Sequence, residues 1–120
     1  MKKLLIAILI WLPAYSQADE NADLVENFCY ALQAMALCDG ISMRVDTEKK
    51  LEAKVGGPLR GRDSKYNGVC MAGISNAFDD EQKGLCEKAW NQFGCFGSVE
   101  PKLLQKSSYG RSDHVLCEYE

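Results

Sequence analysis

One histidine, His114, is the only imidazole in a chain of 120 residues. There is no C-x-x-C and no H-x-x-x-H, which excludes a thioredoxin-like redox pair and the close ligand pairs of structural zinc. No glycine-rich phosphate cradle joins a strand to a helix, so nucleotide chemistry is not expected. No N-x-[ST] sequon follows any asparagine. Basic residues are too few: 14 against 17 acidic, a formal charge of -3, leaves no dense positive field for a phosphate backbone, and nucleic acid is excluded as a partner. Long apolar runs are missing too. The longest is nine residues, Leu4 to Leu12, about 14 Å as a helix and short of the roughly 30 Å hydrocarbon core, so a spanning membrane anchor is not expected.

What is present begins with that run. Lys2 and Lys3 precede it, Pro13 follows it, and Ser16-Gln17-Ala18 puts small residues where a signal peptidase reads. The expectation is a signal peptide over 1–18, cut near Ala18, and a single exported domain over 19–120. Taking Lys2 and Lys3 from 14 basic residues leaves 12 against 17 acidic, a formal charge of -5. All six cysteines, Cys29, Cys38, Cys70, Cys86, Cys95 and Cys117, lie beyond the cut. An even count in a small exported chain predicts three disulfides, and the lysine-led leader points to a bacterial periplasm or secretion beyond it.

Periodicity predicts an all-α, mainly helical fold: a disulfide-stapled bundle of about four short helices. Asn21 or Asp23 is the natural N-cap for a first helix in which Leu24, Phe28, Leu32 and Met35 recur at helical spacing, ending near Gly40. Ile41 to Val55 reads as more helix, restarting at Asp46 or Thr47 and stopped by Gly56-Gly57-Pro58. Spacing resumes with Val69, Cys70, Ile74, Ala77 and Phe78. Asp79-Asp80-Glu81 reads as the acidic start of the next helix, whose stripe is Leu85, Cys86, Ala89, Trp90 and Phe93 before Gly94. Pro101, Leu103 and Leu104 suggest one more helical piece. Cys29 and Cys38 are nine apart, as are Cys86 and Cys95, which invites a ladder of Cys29 with Cys95 and Cys38 with Cys86. Nine residues at 100° each place such a pair on opposite helix faces, so the connectivity stays open.

The catalytic inventory is nearly empty. His114 with Asp113, and Cys70, Ser107, Ser108 or Ser112 as nucleophile, is the one hydrolase arrangement the sequence offers, and a disulfide at Cys70 would remove part of it. Glu81, Glu87 and Glu100 carry no sign of the paired burial that glycan cleavage needs. The acidic triplet lacks the spacing of a calcium loop. No catalytic residue, metal ligand or cofactor is therefore expected. What remains is the long loop from Gly56 to Gly68, basic in an acidic chain, where Arg60, Arg62 and Tyr66 are the candidate contacts for a partner. Trp90 and Phe93 read as core, with Phe96 exposed.

In size, compartment and missing chemistry the chain resembles small exported proteins that neutralise other proteins: immunity proteins against cell-wall-attacking toxins, and lysozyme inhibitors. That resemblance implies a non-enzymatic binder whose partner is a secreted toxin or cell-wall hydrolase. A structural or envelope-stress protein that self-associates, as a homodimer for instance, is the second expectation, and a small secreted hydrolase the third.

Overall fold

A computed structural model describes the backbone over residues 2–107 and the side chains over residues 20–107. Cys117, with Ser108, Ser112, Asp113 and His114, lies outside the described residues. The element order is α1 (Lys2–Leu37), β1 (Ile41–Met43), α2 (Val45–Val55), α3 (Asn67–Asp80), α4 (Leu85–Phe93) and β2 (Leu104–Lys106). The mostly helical class expected from the sequence is the observed one. No helix among the described residues is long and apolar enough to cross a membrane.

The first helix departs from expectation at its start. It runs through Asn21 and Asp23 without a break, so neither is a cap, and at 36 residues it is not short. Its buried positions, Val25, Phe28, Cys29, Tyr30, Ala31 and Ala34, cover more than one stripe, because the remaining elements pack on several sides of it. Leu32 and Met35, read as core, are only partly buried. Ala31 and Ala34 are fully buried instead.

Close packing is concentrated between α1 and α3. Cys70, Gly73 and Ala77 form the buried face of α3. A Cβ on Gly73 would stand 2.2 Å from the Glu26 carbonyl oxygen and 3.0 Å from the Tyr30 amide nitrogen, so only glycine lets the two backbones approach this far. One turn before it, Cys70 is bonded to Cys29, with Cα atoms 5.2 Å apart. Cys38, just past α1, is bonded to Cys86 on α4. Half of the ladder considered from spacing is thus present, and Cys29 takes Cys70 rather than Cys95. Cys95 is disulfide-bonded too.

Two stretches read as helix are strands. Ile41–Met43 pairs antiparallel with Leu104–Lys106, Ile41 opposite Lys106 and Met43 opposite Leu104. The ribbon continues into α2 through buried Arg44, whose guanidinium donates to Gln105 Oε1 at 3.0 Å and to Asp46 Oδ2 at 2.7 Å. That guanidinium holds the Asp46 carboxyl below the usual carboxylate range. Thr47 Oγ1 then donates to the Lys102 carbonyl at 2.7 Å, tying the first turn of α2 to the segment before β2. α2 ends as predicted: Gly56 takes φ +82°, and its amide and that of Gly57 both close on Glu52.

Asp79 and Asp80 do not open a helix; they end α3, and α4 starts only after Gly84. Carboxylates at a helix C-terminus oppose the dipole. The compensation comes from other elements: the Tyr30 hydroxyl of α1 donates to Asp80 Oδ2 at 2.8 Å, and Lys88 Nζ of α4 sits 3.2 Å from the same oxygen. These contacts hold the Asp80 carboxyl below its ordinary value.

Candidate functional site

The loop between α2 and α3 is polar except at Leu59, and that exception builds it. Leu59 is fully buried, with its carbonyl 3.9 Å from the Cys29 sulfur. Ser64 is the second anchor, 6% exposed. Its Oγ donates to the Pro58 carbonyl at 2.9 Å and accepts from the Tyr66 amide at 3.1 Å. Its own amide closes on Gly61 and its carbonyl takes the Asn67 amide. The result is a compact loop pinned at both ends, with Gly61 at φ +98° between the pins.

The candidate contacts are distributed unequally on it. Arg60 is half exposed and turned along α2, its guanidinium forking onto Glu48 at 3.2 and 3.3 Å. Arg62 is exposed, as are Asp63 and Lys65. Tyr66 is different: it is partly buried against the core at the entry to α3, and Lys65 Nζ lies 5.3 Å from its ring centroid. The loop therefore leaves Arg62 and Lys65 exposed and Arg60 half exposed but paired with Glu48, while Tyr66 joins it to the body. Leu59 and Ser64, which give the loop its shape, went unread in the sequence. A lone leucine inside a polar loop was the available signal.

The other readings also find places. Phe93 is fully buried, Trp90 partly buried, and Phe96 is 75% exposed. Cys70 is bonded to Cys29 and offers no thiol. Glu81 and Glu87 are exposed. No group of three or more His, Cys, Asp or Glu side chains converges on a common point among the described residues.

A polar cleft of about 370 Å³ opens between α1, α3 and α4, with Tyr30, Asp80 and Lys88 among its walls. Burial, reinforced by the hydrogen bond and charge of Asp80, pushes the Tyr30 phenol well above its ordinary 10.0. At neutral pH the phenol is protonated and Asp80 is charged, so the pair acts as a brace between helices. The sign of the linkage follows: a folded pKa above the unfolded one gives stability that is full below pH 10.0 and lost as pH rises toward the folded value. In an ultraviolet titration one tyrosine should ionise only with unfolding at high pH. In Asp80→Asn that tyrosine should titrate earlier, though still late, because burial is the larger cause. If every tyrosine titrated together near the ordinary value, the brace would be wrong.

The fold and loop together define a mostly helical, disulfide-stapled domain that displays a pre-formed basic loop. No protein-family model matches the chain, and neither a curated protein nor a solved structure matches it.

Proposed function

We propose that this is an exported, non-enzymatic protein-binding module of the inhibitor or immunity type. Its partner on this reading is a secreted toxin or cell-wall hydrolase with an acidic surface beside its cleft. The observation that carries the reading is the loop between Gly56 and Tyr66. Leu59 and Ser64 fix its backbone before any partner arrives, and Arg60, Arg62 and the partly exposed Tyr66 are the proposed contacts, with exposed Lys65 beside them. A contact surface ordered in advance loses little entropy on binding, and arginine is a frequent hot-spot residue. Export is supported by the leader-like start and by cysteines joined in disulfides. Cys117, the remaining cysteine, is the proposed partner of Cys95, giving three bridges. A non-reducing digest should yield one fragment pair joined through those two residues.

The test mixes the exported, oxidised protein with cell-wall-degrading enzymes secreted by its own and neighbouring strains. One enzyme should lose activity at equimolar protein. Joint replacement of Arg60 and Arg62 by alanine should weaken that complex about thirtyfold or more, the scale of one hot-spot residue. Stability should fall by about 1–3 kcal/mol, because Arg60 is half exposed but Glu48, whose side chain is only 12% exposed, loses its cation. Unchanged affinity in the double variant would refute the loop assignment.

Self-association is the second reading, favoured by one observation. Met71 and Phe78 lie seven residues apart on α3 and are 55% and 52% exposed. Sedimentation at two concentrations separates a self-associating envelope protein from a monomeric binder.

A further inference from the structure

A groove runs between α1, α2 and the segment that leads into β2, and none of the basic loop's residues line it. Its floor is apolar: Phe28 and Leu103 are almost fully buried beneath it, and Leu51 is 3% exposed. Val99, 45% exposed, stands on one side. The rim is charged. Among the described residues that line it, Glu20, Asp23 and Glu100 are the carboxylates and Lys54 the one cation, three carboxylates against one ammonium. The space is about 280 Å³. That is at or below the lower end of the roughly 300–1,000 Å³ of small-molecule sites, and it suits a large side chain entering from a partner.

We infer that this groove takes an extended peptide segment of a protein partner in which a leucine-sized side chain is flanked by lysine or arginine. The apolar floor desolvates the aliphatic group, and removing that surface from water supplies the attraction. The acidic rim selects the flanks. Excess carboxylate around a low-dielectric floor favours cations and repels an acidic segment. Asn27, also on the lining, offers an amide that can both donate to and accept from a peptide backbone.

The probe is an acetylated, amidated Lys-Leu-Lys peptide titrated into the isotope-labelled, oxidised, exported protein, followed by amide chemical shifts. Shifts should centre on Leu51, Lys54, Val99 and Glu100 and weaken with added salt. Glu-Leu-Glu and Lys-Ser-Lys should each bind about tenfold or more weakly, one lacking the charge and the other the apolar group. Joint Asp23→Asn and Glu100→Gln should weaken Lys-Leu-Lys about five- to tenfold while leaving the fold unchanged, both side chains being at the rim. Equal binding of Glu-Leu-Glu, shifts located elsewhere, or no shift at all would overturn the inference. So would groove shifts that depend on protein concentration without peptide, which would mark a second copy as the occupant. Because the Arg60 and Arg62 variant leaves this groove intact, failure here and failure of the loop are told apart.

Discussion

Joint replacement of Cys29 and Cys70 by alanine should lower the unfolding free energy by about 2–5 kcal/mol, measured as a shift in denaturant midpoint. The bridge spans a sequence separation of 41, for which the chain-entropy relation gives about 4 kcal/mol. Both residues are also buried, Cys29 completely, so removal of the sulfurs leaves space against the α1–α3 contact. The loss should appear first in α3, because Cys38–Cys86 still secures the end of α1 to α4. Amide exchange should therefore quicken in α3 before α4. A midpoint change worth less than about 1 kcal/mol would mean that packing alone holds α3 in place.

Gly73→Ala is expected to cost about 1–3 kcal/mol or somewhat more, although alanine is normally the better helix former. The added methyl meets Glu26 and Tyr30 backbone, which cannot rotate aside as a side chain would. The helices must separate, and the Cys29–Cys70 bridge one turn away resists that. The two effects should therefore couple: Gly73→Ala should be less harmful once the bridge is absent, giving a non-additive double-mutant cycle. Gly57→Ala is the control. A Cβ there would meet nothing within 4 Å, and its effect should be small. Equal costs at Gly57 and Gly73 would contradict the close approach of α1 and α3.

The sequence was most informative where the stabilising partner lies within a few residues. The α4 stripe, its end at Gly94, and the stop of α2 at Gly56 are local patterns; both ends are present, and the stripe is buried at Leu85, Ala89 and Phe93, with Trp90 partly buried and Cys86 exposed. The failures have distant causes. Three-residue strands are too short to display alternation, and Ile41–Met43 is a strand only because Leu104–Lys106 lies beside it. Asp79 and Asp80 carry the signature of a helix start, yet Tyr30 and Lys88 from two other helices make the end of α3 tolerable for Asp80. At the candidate loop, the exposed basic side chains were legible as composition. The inward turn of Tyr66 and the anchoring by Leu59 and Ser64 depend on the core they meet.

The two described bridges interleave: Cys38 lies inside the ring closed by Cys29–Cys70, and its partner Cys86 lies outside it. Any single break in the main chain between Cys29 and Cys86 therefore leaves both pieces covalently joined. A partner that is itself a protease could sever the exposed 56–66 loop and still hold one intact molecule, heavier by a single water. Only reductant would then release the halves. If the proposed reading holds and the protein occupies a degradative enzyme, such a topology turns being cut into an event that need not end the encounter.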